Sequence, residues 1–241
     1  MALDFNHGAT KARSGVPTVE MLDKAAASLA SAPRAYLGGS RLGEECARKL
    51  QYEYEGAERP PFPARTQLIF DAGHAGEDSV ARLLKKIFDL RTEKNGRQFG
   101  FETAGGRIKG HIDGVICGGP AEFGPYPYLW EHKEVGAKYW QAIVKNGVRA
   151  ERPVYAGQIA TYQAYLDLTE NPALFSFGNR DTRELGFERV RFDAKLAQEC
   201  TDRGVQVITA TEKGDRLPRP YANADFFKCR LCDYRKDCWN A

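Results

Sequence analysis

The segment at positions 128 to 135 opens with the apolar residues Tyr128, Leu129 and Trp130, continues through four polar residues and ends at Val135, and we expect it to form a β-strand, whose side chains point alternately to two faces. One face of this strand carries Leu129, Glu131, Lys133 and Val135. The opposite face carries Trp130 and His132. A carboxylate and an ammonium therefore share an otherwise apolar face, and each needs a partner because an unpaired charge is costly in a protein interior. The pattern predicts a core strand that carries a charged site.

A second acid lies in the Gly-containing segment between positions 101 and 116, which predicts a β-hairpin. Its second strand is expected to run without a break from Ile108 to Ile116, with Asp113 on the polar face. Asp113 and Glu131 on neighbouring strands would repel each other unless a cation lay between them. Because Mg²⁺ and Mn²⁺ prefer oxygen ligands, the two acids predict a divalent-metal site.

Apolar residues at helical spacing follow Phe70 and predict a helix that faces the core. These residues are Val80, Leu83, Leu84, Ile87 and Phe88. The same face continues back to Glu77 and His74, which are both candidate metal ligands. A structural alternative remains open for each, since Glu77 also favours the positive end of a helix dipole and His74 also suits a first turn.

Pro153 predicts the start of another helix, which extends to about Leu168. Gln158 and Tyr162 lie one turn apart on a face of this helix. A basic stretch with aromatic residues nearby precedes the helix and consists of Lys145, Arg149 and Arg152. Such a stretch is typical either of a channel for single-stranded nucleic acid or of a solvated loop.

Further strands near 175–177 and 187–192, and a helix over about 193–211, complete an alternation of strands and helices. We expect one α/β domain with a mixed central sheet flanked by helices over residues 39–241, after an N-terminal extension and helix at 1–38. The net charge of +3 excludes binding of nucleic acid by bulk charge alone. No apolar run approaches the roughly 20 residues that span a bilayer and the N-terminus lacks the order of a secretion signal, so we expect a cytoplasmic protein.

The six cysteines are distributed unevenly. Cys229, Cys232 and Cys238 form C-x2-C-x5-C ahead of Trp239, whereas Cys46 lies far upstream on a helix that Ser40 is expected to cap. Cysteines in an intracellular chain are more typical of thiols and metal ligands than of disulfides. Four thiolates suit zinc as well as an iron–sulfur cluster. Taken alone, Cys46 would equally suit a small buried apolar position. The other two cysteines, Cys117 and Cys200, stand apart.

Asp113 followed by Glu131-x-Lys133 resembles the core of the PD-(D/E)xK nuclease superfamily, with Ile112 in place of the proline. Gln158-x-x-x-Tyr162 is similar to the QxxxY motif that follows this core in RecB-type and CRISPR-adaptation nucleases. The resemblance implies a restriction-endonuclease-like αβββαβ core. It also implies that Gln158 and Tyr162 lie beside the catalytic centre and contact DNA.

The cysteine arrangement resembles the iron–sulfur staple of AddB-type and CRISPR-adaptation nucleases, in which one cysteine precedes the nuclease core and three follow it. The resemblance implies that Cys46, Cys229, Cys232 and Cys238 bind a [4Fe–4S] cluster that joins the N- and C-terminal segments, with Zn²⁺ as the alternative. It extends from about Gly39 to Trp239 and is greatest for phage-encoded members, for which the location would be the host cytoplasm.

Together these features predict a metal-dependent DNA nuclease, and an exonuclease rather than an endonuclease. Asp113, Glu131 and either His74 or Glu77 would hold Mg²⁺ or Mn²⁺. The resemblance to the nuclease superfamily implies that the carbonyl of His132 adds a ligand, while its side chain faces away. Lys133 would position or help to deprotonate water and stabilise the transition state. Two other classes remain open, namely a non-catalytic DNA-binding accessory protein with the same fold and an iron–sulfur or zinc scaffold protein. The sequence also leaves open a recombination or single-strand-binding protein as partner, and a homo-oligomer.

Overall fold

The structure is a computed structural model that describes residues 16–29 and 34–240. The stretch without a regular pattern at residues 1 to about 16 lies almost entirely outside this range. The described residues form nine α-helices: α1 (Val19–Ser28), α2 (Ala47–Tyr54), α3 (Ala64–Leu84), α4 (Ala137–Asn146), α5 (Val148–Glu151), α6 (Pro153–Tyr165), α7 (Ala194–Lys213), α8 (Phe227–Arg230) and α9 (Arg235–Trp239). None of the helices in these two ranges combines the length and the apolar character needed to cross a membrane.

Ten strands within the same ranges form three sheets. They are β1 (Leu37–Gly38), β2 (Leu90–Arg91), β3 (Glu93–Lys94), β4 (Arg97–Gln98), β5 (Gly100–Thr103), β6 (Ile108–His111), β7 (Gly114–Ile116), β8 (Tyr128–Val135), β9 (Ala173–Asn179) and β10 (Leu185–Val190). The central sheet has the order β10-β9-β8-β7-β2, in which β8 and β9 are parallel and the other neighbours are antiparallel. The expected mixed α/β fold, with a mixed sheet and flanking helices, is confirmed.

The two faces of β8 contribute to two different parts of the core. Leu129 and Val135 pack with Phe175 of β9 and Ile159 of α6. Trp130, on the other face, packs in a second cluster with residues of α3, which include Val80 and Leu84. The parallel pairing of β8 with β9 follows from the crossover through α4, α5 and α6. The assignment of these residues to the two faces of a strand, on which side chains alternate, was therefore correct.

A smaller sheet, with the order β1-β6-β5, lies beside the central sheet. Its core contains Leu37, Leu42, Leu50, Ile108 and Val207, which join β1, α2, β6 and α7. This cluster connects the N-terminal part of the chain with the long α7 helix near its C-terminal end.

The strand expected from Ile108 to Ile116 is in fact two strands, β6 and β7, which belong to different sheets. The backbone of Ile112 bonds to the β4–β5 region, because its N–H donates to the Phe99 carbonyl at 3.0 Å and its carbonyl accepts from Gln98 Nε2 at 3.0 Å. Asp113 therefore lies in the break rather than on the polar face of a continuous strand. Its carboxylate is buried, with 8 % exposure of the residue.

Two helix predictions also need correction. The helix with Cys46 starts only at Ala47, so Cys46 is its N-cap, while Ser40 lies in a separate 3-10 turn at Gly39–Arg41. The α3 helix ends at Leu84, and Leu83 and Ile87 are exposed rather than in the core. The core-facing residues of α3 are Val80, Ala81 and Leu84, which lie at the three- and four-residue spacing of a single face.

Candidate active site

Glu131 and Lys133 form an ion pair at the centre of β8. Glu131 is completely buried, and its Oε1 accepts hydrogen bonds from Lys133 Nζ and from Gln158 Nε2. Its second oxygen, Oε2, is buried and has no hydrogen-bond partner among the described residues. A buried carboxylate oxygen without a donor is energetically costly, and a bound cation would remove this cost.

Asp113 lies beside this pair because of the register between β7 and β8. Gly114 pairs with Trp130, so the preceding residue, Asp113, comes level with Glu131 and His132. Asp113 Oδ2 accepts the backbone N–H of His132 at 2.7 Å and lies 4.0 Å from Lys133 Nζ. Lys133 Nζ also donates to the His132 carbonyl at 2.9 Å. The backbone of His132 thus forms hydrogen bonds with both Asp113 and Lys133.

The α3 helix adds Glu77 and His74 to the same cluster. Burial and the nearby charge of Asp113 raise the pKa of Glu77 to about 7, although Lys133 acts in the opposite direction. Burial raises the pKa of Asp113, and Lys133, the backbone N–H of His132 and, least of all, His74 act in the opposite direction. Glu77 is half-buried and His74 is exposed. Both candidate ligands of α3 therefore lie within electrostatic range of Asp113.

The cluster has more acidic than basic side chains, and the crowding of the acids opposes their ionisation. Burial, followed by the charge of Asp113, raises the pKa of Glu131 to about 8. Burial alone would lower the pKa of Lys133, but Glu131 and Asp113 raise it above its ordinary value, so that Lys133 is an ammonium at neutral pH. Three acids and one ammonium form an environment that favours a divalent cation.

The acids do not converge on one point. Among residues 16–29 and 34–240, no three His, Cys, Asp or Glu side chains are placed closely enough to hold a metal ion. The Lys133 ammonium pairs with Glu131 and lies 4.0 Å from Asp113 Oδ2, and so offsets part of the negative charge of the two acids. The residues nevertheless fit a divalent cation in their chemistry, because Glu131 Oε2 lacks a donor and three carboxylates lie near one another.

Gln158 and Tyr162 both face this centre from α6. Gln158 is 4 % exposed, and its amide bonds to Glu131. Tyr162 is 2 % exposed and packs edge-on against Phe101, with ring centroids 5.7 Å apart. Burial, followed by the charge of Glu131, raises the pKa of Tyr162. Gln158 therefore contacts Glu131 directly, whereas Tyr162 lies within electrostatic range of it.

The side chain of His132 faces away from the acids, as expected, and belongs to a buried polar chain on the opposite face of β8. Trp130 Nε1 donates to Ser176 Oγ at 2.9 Å, and Ser176 Oγ lies 2.9 Å from His132 Nδ1. His132 Nε2 lies 3.3 Å from Glu134 Oε1. Burial, together with the charge of Lys133, lowers the pKa of His132 to about 4, so its ring is neutral. A neutral ring that accepts from Ser176 and donates to Glu134 satisfies both contacts.

The sequence did not indicate Glu134 or Ser176 as parts of the site. Glu134 occupies a space left by two glycines, Gly76 of α3 and Gly178 of β9. A Cβ atom at Gly76 would lie 2.7 Å from Glu134 Cγ, and one at Gly178 would lie 2.7 Å from Glu134 Cδ. The available signal was the alternation of β8, which places Glu134 on the face of Trp130 and His132.

We expect Gly76→Ala to destabilise the fold by about 1–3 kcal/mol, because the new methyl group overlaps a Glu134 side chain that Gly178 confines from the other side. Urea unfolding measures this change. Gly73→Ala is the matched control on the same helix, since nothing lies within 4 Å of a Cβ there. It should stabilise by about 0.5–1 kcal/mol through helix propensity. In a Glu134→Ala background Gly76→Ala should lose its penalty, and an unchanged penalty would refute the proposed overlap.

The four cysteines of the predicted staple come together only in part. Burial raises the pKa of Cys46, and Cys232 and Cys238 are close enough to raise it further. Cys229 lies in α8, and its carbonyl accepts the N–H of Cys232 at 3.1 Å. The C-terminal segment docks on α2 through a stacked pair, Tyr52 and Tyr234, with ring centroids 5.3 Å apart.

The described residues thus bring the cysteines from the two ends of the chain close to one another, but not into a group of metal ligands. All four are half-buried thiols. Of the other two cysteines, Cys117 is half-buried, and Cys200 of α7 is buried in the core cluster that also contains Leu50 of α2. The donor chemistry suits a thiolate-bound metal, whereas the placement of the side chains does not by itself demonstrate one.

No protein-family model matches this chain, and no curated protein matches it in sequence. Solved structures do share its fold. The crystal structure of SSO0001 is 17 % identical, with a TM-score of 0.52, and the match covers 92 % of this chain and 95 % of that one. An alkaline exonuclease from Laribacter hongkongensis, LHK-Exo, is 14 % identical, with a TM-score of 0.53 over 81 % of this chain and 93 % of that chain. The same exonuclease in complex with dAMP gives a TM-score of 0.53 at 14 % identity, over 75 % and 89 % of the two chains.

Proposed function

We propose that the protein is a divalent-metal-dependent DNA nuclease of the PD-(D/E)xK superfamily, with a restriction-endonuclease-like core and exonuclease activity. The observation that carries the proposal is the cluster of Asp113, Glu131 and Lys133, in which a fully buried carboxylate oxygen has no donor among the described residues. The fold shared with an alkaline exonuclease supports the same class of activity.

Asp113 and Glu131, with Glu77 or His74 from α3 and the His132 carbonyl, would hold Mg²⁺ or Mn²⁺. The metal would supply Lewis-acid stabilisation of the phosphate and a lowered pKa for attacking water. The protein itself positions Asp113 and Lys133 through the backbone of His132. The N–H of His132 donates a hydrogen bond to Asp113, and its carbonyl accepts one from Lys133.

Lys133 acts as a cation in this proposal. Because its two acidic neighbours raise its pKa, it does not take up a proton from water near neutral pH. It instead orients the water and stabilises the charge that develops on the phosphate oxygens. We further propose that Gln158 and Tyr162 contribute to DNA engagement, since Gln158 donates a hydrogen bond to Glu131 and Tyr162 is buried within electrostatic range of Glu131 and Lys133.

Lys133→Ala should reduce the single-turnover cleavage rate by on the order of 100-fold or more while Mn²⁺ still binds, because lysine stabilises the transition state and is not a metal ligand. Single-turnover kinetics and calorimetry with Mn²⁺ separate the two effects. Lys195→Ala, at an exposed lysine of α7, is the matched control and should leave both unchanged. A Lys133→Ala variant that no longer bound Mn²⁺ would instead assign Lys133 a structural role.

The function itself is tested with end-labelled single- and double-stranded DNA in Mg²⁺ or Mn²⁺, with chelator in a parallel reaction. An exonuclease degrades linear DNA and leaves covalently closed circular DNA intact, whereas an endonuclease cuts both. DNA binding without metal-dependent cleavage would favour the accessory-protein alternative. The absence of both would leave the scaffold-protein alternative.

For the cysteines, we propose a [4Fe–4S] cluster held by Cys46, Cys229, Cys232 and Cys238, with Zn²⁺ as the alternative. Two observations support the proposed cluster. Cys232 and Cys238 lie close enough to Cys46 to raise its pKa, and the C-terminal segment packs on α2. Such a site would join residues on both sides of the nuclease core. A phage origin, a cytoplasmic location and a recombination or single-strand-binding protein partner belong to the same proposal.

A further inference from the structure

Arg152 lies between two tyrosine rings at the corner between α5 and α6. Its guanidinium carbon is 4.5 Å from the ring centroid of Tyr139 and 4.7 Å from that of Tyr155. Its Nη2 also donates to the Tyr155 hydroxyl at 3.0 Å. A guanidinium that is held by two rings and a hydrogen bond has lost much of its rotational freedom before any ligand arrives.

The local backbone produces this arrangement. Gly147, with a φ of 82°, separates α4 from α5, and Arg152 with a φ of −138° ends α5 just before Pro153 starts α6. Three short helical segments therefore fold around one corner. This corner brings the exposed ring of Tyr139 in α4 next to Arg152 and the first turn of α6.

The positive charge of Arg152 has no carboxylate partner among the residues that the structure describes. Within residues 16–29 and 34–240, no Asp or Glu oxygen lies within 4.0 Å of its guanidinium. Arg149, three residues earlier, differs because it pairs with Asp193. Tyr139 is 48 % exposed, so part of its ring is open to solvent. The corner thus presents an uncompensated cation beside an accessible aromatic ring.

This corner adjoins the candidate catalytic centre. The Lys133 ammonium lies 5.9 Å from the ring centroid of Tyr155, the ring that Arg152 also contacts. Lys133, inside the candidate centre, and Arg152, outside it, therefore both lie near the ring of Tyr155. A DNA strand whose reacting phosphate lies at Lys133 would bring its neighbouring nucleotide towards Arg152 and Tyr139.

We propose that Tyr139, Arg152 and Tyr155 form a nucleotide-binding site of the nuclease, specific for single-stranded DNA. Arg152 binds the phosphate next to the reacting one, and a base stacks on the open part of the Tyr139 ring. The base must be unstacked from its neighbours to do so, which a single strand or a frayed end allows and an intact duplex does not. This inference rests on the proposed nuclease function and adds the strand type to it.

The test uses a 5′-fluorescein-labelled 12-nucleotide single strand and fluorescence anisotropy in Ca²⁺, a divalent ion chosen to limit turnover, followed by cleavage in Mn²⁺. Tyr139→Ala and Arg152→Ala should each weaken binding of the single strand by roughly five-fold or more, since stacking and phosphate contacts of this kind are worth on the order of 1–3 kcal/mol each. Binding of a blunt duplex of the same length should change less.

Matched controls come from the opposite face of the central sheet. Arg189 also lies over a tyrosine ring, that of Tyr128 at 4.0 Å, and Phe187 is an exposed aromatic residue paired with Ser176. Arg189→Ala and Phe187→Ala should leave single-strand binding unchanged. Circular dichroism of every variant checks that the fold persists.

A second oligonucleotide series isolates the stacking contact. Abasic sites placed one at a time along the strand should weaken binding to the wild type at one position, and this loss should be absent in Tyr139→Ala. Equal losses in both proteins would overturn the stacking role, and unchanged affinity in Arg152→Ala would overturn the phosphate role.

If the wild type neither binds nor cleaves DNA, the proposed function fails together with this site. If it cleaves normally and the variants match it, only the site fails.

Discussion

Asp113→Asn and Glu131→Gln are each expected to abolish metal-dependent cleavage, with a loss on the order of 1,000-fold or more, because metal-assisted stabilisation of the transition state is worth several kcal/mol. Both substitutions preserve size, and the amide introduced by Asp113→Asn would still offer an oxygen to the His132 N–H, from which Asp113 Oδ2 accepts a hydrogen bond at 2.7 Å. Glu102→Gln, at an exposed acid that pairs with Lys109, is the control and should retain full activity.

The same acid variants should stay folded, and Asp113→Asn should unfold at an equal or higher temperature than the wild type at pH 7.5. Burial raises the pKa of Asp113, so its ionisation opposes folding: stability is greatest below its unfolded-state pKa and falls as the pH rises through the folded-state value. Asp113→Asn removes the ionisable carboxyl group, and with it this fall in stability at high pH. Thermal unfolding with and without Mn²⁺ measures this, and only the wild type should gain stability from the metal. Activity above a tenth of wild type in either variant would contradict the assignment.

Cys46→Ser and Cys232→Ser are expected to lower the free energy of unfolding by several kcal/mol, since a link across a loop of about 180 residues restricts the unfolded chain strongly. Protein purified without oxygen should be brown, with broad absorption near about 400 nm and roughly four irons per chain. Either substitution should remove the colour and lower nuclease activity as the fold loosens. Absorption spectra and iron analysis measure the loss of the cluster, urea unfolding measures the loss of stability, and a cleavage assay measures the loss of activity.

Cys117→Ser and Cys200→Ala are the controls, and both should keep the colour. Alanine is chosen at position 200 because that side chain is fully buried in the core, where alanine adds no polar group. Colourless protein with one tightly bound zinc would replace the cluster by the zinc alternative. A Cys46→Ser variant with full iron content would remove Cys46 from the site.

The sequence predicted the elements whose pattern is local and uniform. The period of two in β8 located both faces of that strand, and Pro153 marked the start of α6. Asp113 and Glu131 were paired correctly in space, because adjacent antiparallel strands follow from a short connection. The placement of Gln158 beside Glu131 came from resemblance rather than from helix periodicity, which cannot specify a partner in another element.

The features that the sequence did not predict depend on contacts between distant segments. Alternating Gly and Ile residues suggested one strand from 108 to 116, yet the backbone of Ile112 bonds to the segment around Phe99 and the chain changes sheets at Asp113. The confinement of Glu134 by Gly76 and Gly178 involves three separate elements. The pairing of Arg152 with Tyr139 similarly requires the corner at Gly147, which the basic composition alone could not distinguish from a solvated loop.

The ion pair between Lys133 and Glu131 has a consequence for how the protein matures. Since an internal ammonium already compensates the buried acid, the polypeptide can reach its native state in a cell that is short of free divalent ions. Loading of the proposed nuclease centre with metal would then be a reversible event that follows folding, and chelation should switch off the proposed cleavage without unfolding the chain. The supply of Mg²⁺ or Mn²⁺ would thus set the fraction of active molecules, while the amount of folded protein would not depend on that supply.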